Sequence, residues 1–204
     1  MSKFDYRRKI ILKYIKNKTV LDLGVGDIRD RFLHEFVAKH SKKAIGLEIS
    51  QKRADALSEK GYNIIIGDAQ NFDLKKKFDV ILAGDLIEHL ENPGLFIKSV
   101  KKHMKNDSIF ILNTPNIYSI NLLLRGCCFF GNVHHFDEHT LAFTEQLLRK
   151  LLKMNALYVK KVIYFNHSEP NLQSIIVRFL SYFFNKWKEH ICFIITMENE
   201  KGEV

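Results

Sequence analysis

The chain predicts an α/β fold, a mostly parallel sheet with helices on both faces. Short, nearly all-apolar segments alternate with helical ones over residues 19–116, as strands buried on both faces do. The first apolar segment runs into a glycine turn, "TVLDLGVGDIRD". Acidic residues follow later apolar runs closely, at Glu48, Asp68 and Asp85. In such sheets ligands bind beyond the carboxyl ends of the strands.

Taken in order, residues 3–17 place Phe4, Ile10, Ile11, Tyr14 and Ile15 at roughly helical spacing. Strand one is "TVLDLG". The helix "RFLHEFVAKH" follows, with Phe32, Leu33, Phe36 and Val37 on one face. Strand two is "KAIGLEIS", and the polar helix "QKRADALSEKG" closes on Gly61 as a C-cap. Strands three and four are "NIIIGD" and "FDVILAGD". In the helix "PGLFIKSVKKHMK", Pro93 stands near the first turn, where a proline costs least. Strand five is "SIFILNTPN". Beyond it "TEQLLRKLLKMN" is helical, with Leu147, Leu148, Leu151 and Leu152 facing inward, and "LYVKKVIYF" and "ICFIITMEN" are strand-like. Between those two lies "NLQSIIVRFLSYFFNKWKEH", an apolar and aromatic helix that serves as a lid or core element. Residues 171–188 of that helix also offer a peripheral membrane contact.

At 204 residues one domain with a substantial core is expected. No run approaches the roughly 18 apolar residues of a membrane span. The basic start "MSKFDYRRKIILKYIK" lacks the apolar core and cleavage site of a secretory signal. Three cysteines, two of them adjacent at Cys127 and Cys128, match neither a disulfide framework nor a zinc spacing. Reduced thiols in a cytoplasmic protein are the expectation. Of the net charge of +9, residues 1–18 supply six, from seven Lys or Arg and one Asp. Other basic clusters at Lys75, Lys76 and Lys77 and at Lys101, Lys102 and Lys105 form separate patches with no interleaved aromatics. A solvated basic face explains them better than a nucleic-acid track.

The strand ends carry the chemistry. Gly24 and Gly26 let the backbone turn tightly and approach a ligand. Arg29 stands where a dinucleotide fingerprint would have its third glycine. The flanking acids Asp22 and Asp27 disfavour a pyrophosphate and favour a cationic ligand. Glu48, 22 residues beyond Gly26, is placed to accept both hydroxyl protons of a ribose. Asp68 and Ala69 follow strand three, where an adenine edge would lie; Asp68 reads equally well as a helix N-cap. In "GDLIEHL", a helix would bring Asp85, Glu88 and His89 to one face, either to bind a divalent metal or to position His89 as a base.

Together "VLDLGVGD", "GLEIS", "GDA" and "FDVILAGDLIEHL" resemble the class I S-adenosylmethionine-dependent methyltransferases over roughly residues 15–165. The family's turn after strand one cradles the amino-acid half and ribose of a sulfonium cofactor without a pyrophosphate, so no third glycine is needed. The resemblance implies a Rossmann-like seven-stranded sheet whose last strand pair is an antiparallel edge hairpin. It implies that Gly24, Gly26 and the backbone near Gly84 hold the methionine end, Glu48 the ribose, and Asp68 and Ala69 the adenine. Asp22, Ile49 and Asp85 complete the expected cofactor set.

Within the family, "LIEHL", "NTPN" and "HHFDEHTLAFTEQLLRKLL" look most like the small-molecule O-methyltransferases of ubiquinone biosynthesis. That branch has an acid-x-x-Glu-His pattern proposed to hold a metal, which Asp85, Glu88 and His89 match. The expected catalytic set is His89, Glu88 and His135, with His134 and His139 of "NVHHFDEHT" on the same rim. The implied divisions are 1–18, a basic helix; 19–165, the cofactor core; 166–189, a helical insertion or lid; and 190–204, the last strand and tail. Strand four lacks the Asn/Asp-Pro-Pro-Tyr loop of amino-methyltransferases, which demotes a nucleic-acid acceptor in favour of a small molecule. The rival functions are a nucleic-acid methyltransferase, a nicotinamide-dependent oxidoreductase and a binding subunit without turnover.

Overall fold

The computed structural model describes residues 5–25, 31–120, 122, 139–166 and 184–198. Its elements are α1 (Asp5–Ile15), β1 (Thr19–Leu23), α2 (Arg31–His40), β2 (Lys43–Glu48), α3 (Gln51–Ser58), β3 (Ile64–Ile66), β4 (Phe78–Gly84), α4 (Pro93–Lys102), β5 (Met104–Pro115), α5 (Glu145–Met154), β6 (Tyr158–Phe165) and β7 (His190–Thr196). They build one seven-stranded sheet in the order β3-β2-β1-β4-β5-β7-β6. The first five strands of that order are parallel. The last strand, β7, enters between β5 and β6 and runs antiparallel to both. Strand order reverses between β1 and β4, which makes their carboxyl ends the switch point where ligands bind.

Alternation along β1 shows why both faces are covered. Leu21 and Leu23 pack with Phe96, Ile97 and Val100 of α4 and Leu148 and Leu152 of α5. Val20, just before them, faces the other way and packs with Ile10, Ile11 and Ile15 of α1 and Leu33 and Val37 of α2. Each fully buried Leu, Ile or Phe contributes about 1.5–3 kcal/mol over its exposed state.

Side chains close the helix starts. Asn92 Oδ1 accepts from Leu95 N at 3.1 Å ahead of Pro93, and Thr144 Oγ1 accepts from Leu147 N at 3.1 Å. Gly61, at φ +87°, turns the chain after α3, the left-handed conformation expected of a C-cap glycine.

Three expectations need correction. Leu147 is 50% exposed while Leu148 and Leu152 are fully buried, because a helix one sheet thickness away buries only one stripe. "GDLIEHL" is not a helix: Asp85 is left-handed at φ +47°, and only a 3₁₀ turn over Ile87–His89 follows. The segment before β7 ends in a 3₁₀ turn, Asn185–Trp187; the rest of the helix expected over 171–188 lies outside the described residues. Among the described residues no helix is long and apolar enough to cross a membrane.

Candidate active site

Gly24 takes φ +74°, and a Cβ there would lie 3.0 Å from Leu86 Cδ1. Its N–H donates to Leu47 O at 2.9 Å. The ends of β1, β2 and β4 therefore close on one point, and a bare glycine is what lets them. Gly26, Asp27 and Arg29 lie outside the described residues, as do His134 and His135.

Around that point the expected cofactor residues divide. Glu48, buried, is steadied by Ser50 N donating to Oε1 at 2.9 Å. Ile49 beside it is 69% exposed, an apolar face turned outward at the strand end. Asp68 accepts from Gln70 N at 2.8 Å, an Asx turn that fixes its carboxylate, and Ala69 is buried. Asp22 differs. Its carboxylate is buried and lies 2.9 Å from His34 Nδ1 of α2, so it ties β1 to α2 beneath the turn. Gly46 makes room for that imidazole: a Cβ there would come within 3.1 Å of His34 Cε1.

Beyond β4, the groups expected to share one helical face separate into two clusters. Asp85 accepts from Asn113 Nδ2 at 2.7 Å and from Arg7 Nη1 at 3.3 Å, and its Oδ1 lies 3.4 Å from His190 Nδ1. Arg7 reaches there from α1. It is 7% exposed, and a Cβ on Gly84 would overlap its guanidinium. Sequence reading missed Arg7 and His190; neither stands in a motif, and only the fold brings them to β4.

Glu88 turns the other way with His89 and His139, and their ligand atoms all lie within 4.8 Å of one another. Asp85 is not in this group, which replaces the expected Asp85, Glu88 and His89 triad. His139 is brought in by its neighbours: Thr140 N, Thr140 Oγ1 and Leu141 N all donate to Glu88 O, at 2.9, 3.0 and 3.0 Å. The His89 and His139 rings meet edge to face at 4.7 Å. Glu88 is 1% exposed, and Thr114 Oγ1 donates to its Oε2 at 3.0 Å. Among the described residues its Oε1 is buried without a hydrogen-bond partner. Burial, and then the Asp85 carboxylate, push its pKa up to about 8. Glu88 is therefore mostly a neutral acid at neutral pH. Burial also pushes the Cys192 thiol up to about 12, which leaves it inert as a nucleophile.

A methyltransferase-domain family model matches residues 4–159. The chain is 26% identical over 118 residues to a ubiquinone biosynthesis O-methyltransferase of Pelagibacter ubique, covering 55% of this chain and 48% of that one. It is 28% identical over 102 residues to a (S)-tetrahydroprotoberberine N-methyltransferase of Eschscholzia californica, covering 47% and 29%. The chain thus spans less than half the length of these curated relatives. Its fold matches an S-adenosylmethionine-dependent methyltransferase of Clostridium acetobutylicum with a TM-score of 0.65 at 16% identity, over 96% of this chain and 93% of that one. It also matches the 1,6-didemethyltoxoflavin-N1-methyltransferase of Burkholderia thailandensis, whose structure holds S-adenosylhomocysteine, with a TM-score of 0.64 at 12% identity over 97% and 79%. With a family match over most of its length and this sheet order, the chain belongs to the class I S-adenosylmethionine-dependent methyltransferases.

Proposed function

We propose that this chain transfers a methyl group from S-adenosylmethionine to an oxygen, or a similar nucleophile, of a small-molecule acceptor. The observation that carries the proposal is the β1/β4 switch point, where a left-handed Gly24 opens the backbone and the buried Glu48 stands at the next strand end. Glu48 takes the ribose hydroxyls, Asp68 and Ala69 edge the adenine, and exposed Ile49 covers it. Gly24, Gly26 and Gly84 hold the methionine end. Arg7, a buried cation beside Gly84, suits the carboxylate there. Asp22 acts through His34, shaping the turn from below.

The acceptor's nucleophile lies in line with the sulfonium methyl, and alignment is the protein's main contribution. His89 and Glu88 stand on the acceptor side with His139, Glu88 as a neutral hydrogen-bond donor. The catalytic role expected of His135, which lies outside the described residues, is kept in the proposal beside His139 on that rim. A divalent ion would be held there by Glu88, His89 and His139, one carboxylate and two imidazoles. Titration with Mn(II) tests that variant directly.

Thermal unfolding with S-adenosylmethionine, S-adenosylhomocysteine and NAD tests the whole proposal. A ligand at about 100 times its Kd stabilises by roughly 2.7 kcal/mol, and each kcal/mol moves the midpoint by about 2–4 °C in a chain of this size. A shift with the two sulfur compounds and none with NAD is expected. A shift with NAD alone would favour the oxidoreductase rival.

A further inference from the structure

A second imidazole–carboxylate pair stands on the same rim, between the end of β4 and the start of β7. His190 opens β7, opposite Pro115 of β5 and Phe165 of β6. Its Nδ1 lies 3.4 Å from Asp85 Oδ1. That is an ion-pair separation in which Nδ1 makes no hydrogen bond to the carboxylate, a loose contact of the kind that catalytic hydrogen bonds tighten from when substrate binds.

Both members are aimed by the fold. Asn113 of β5 and Arg7 of α1 hold the Asp85 carboxylate at 2.7 and 3.3 Å. The Asp85 backbone is left-handed at φ +47°, a conformation costly for a non-glycine residue, and its N–H donates to Asn113 O at 3.0 Å. Phe165 is buried and stacks on the His190 ring at 5.4 Å and 20°, which sets the plane of the imidazole. A histidine oriented by a fixed carboxylate is the arrangement that proton abstraction needs. The pair also adjoins Gly84, which the proposed function assigns to the methionine end of the cofactor.

We propose that His190 is a further catalytic residue that takes the acceptor's proton, with Asp85 as its orienting carboxylate. The proposal rests on the methyl-transfer reading and narrows its acceptor. Once Nδ1–H turns to Asp85, the Nε2 lone pair is the basic atom. As the sulfur–methyl bond breaks, its electron pair returns to sulfur and gives S-adenosylhomocysteine. The acceptor oxygen's lone pair forms the new bond to the methyl, and the hydroxyl proton passes to Nε2. Asp85 stabilises the imidazolium until it loses that proton to water. Such a base matters only to an acceptor with a proton to lose, so the site suits a hydroxyl rather than a tertiary amine.

Two measurements on the full chain test this. In ring-nitrogen NMR, with the signal assigned by His190→Gln, His190 is expected as the Nδ1–H tautomer, shifting on Asp85→Asn. An Nε2–H tautomer, or a signal that Asp85→Asn leaves unmoved, would overturn the pair. In methylation assays with catechol and N-methylpiperidine, the wild type is expected to methylate catechol alone. His190→Ala should then lower kcat about 10²–10⁴-fold, keep its affinity for S-adenosylhomocysteine, and recover part of the rate with added imidazole. Wild-type kcat in that variant, a loss that imidazole does not restore, or methylation of N-methylpiperidine alone would overturn it. If the wild type binds no S-adenosylhomocysteine, methyl transfer itself fails. If it binds but methylates neither probe, the NMR result decides on the pair.

Discussion

Glu88 and Gly84 show how much one residue type decides here. Glu88 is buried against Thr114 and repelled by Asp85, so folding favours its protonated form. Its folded pKa of about 8 lies above its ordinary value near 4.5, so the unfolded chain releases the proton first. The stabilising effect of the neutral acid is full below about pH 4.5 and is lost as pH rises towards 8. Glu88→Gln should therefore flatten the pH dependence of stability across that window and raise the unfolding midpoint at pH 8. Gly84 is glycine for a steric reason, since a Cβ would overlap Arg7. Gly84→Ala should dislodge Arg7 and lower the melting temperature by several degrees, about as Arg7→Ala does, and the two together should cost little more than either, because both remove the same Arg7–Asp85 pair. Denaturation curves of the three variants read this directly. Arg7 was not legible in the sequence, being one of seven basic residues in the first 18. Its partner Asp85 is 78 positions away, and no local pattern encodes that contact.

At the level of elements, the strands were legible because each is a short apolar run and because a doubly covered sheet tolerates little else. β1, β4 and α2 fall where alternation and helical spacing put them. The turn after β4 was not legible. "GDLIEHL" has helical spacing, but the left-handed Asp85 breaks it, and a motif cannot announce a backbone angle held by tertiary partners. α5 shows the same limit more mildly. Four leucines at adjacent spacings look equivalent, yet the sheet contacts one stripe. Leu148→Ala should cost about 2–5 kcal/mol, whereas Leu147→Ala, at a half-exposed site, should stay within about 0.5 kcal/mol. Urea denaturation separates the two. Equal costs would mean that α5 packs by a different face.

Over the whole molecule, what was legible follows from topology. Parallel strands deliver their carboxyl ends to one rim, so residues just after each strand become neighbours however far apart they lie in sequence. That is why Gly24, Glu48, Asp68 and Asp85 could be grouped before the fold was seen. Of the groups the rim receives from elsewhere, His139 was legible in "NVHHFDEHT", whereas Arg7 and His190 escaped that logic. Arg7 descends from α1, His139 arrives on a loop tied to Glu88 O, and His190 opens the inserted strand β7. These three turn a cofactor cradle into two separate polar clusters, one around Asp85 and one around Glu88. The central claim is that the rim binds S-adenosylmethionine through Glu48. Calorimetric titration of S-adenosylhomocysteine into the wild type and Glu48→Ala tests it most directly. One site per chain, weakened at least about tenfold in the variant, is the predicted result; a tenfold change is about 1.4 kcal/mol, within the range of hydrogen bonds to a charged group. Equal affinity in the two proteins, or no binding to the wild type, would contradict it.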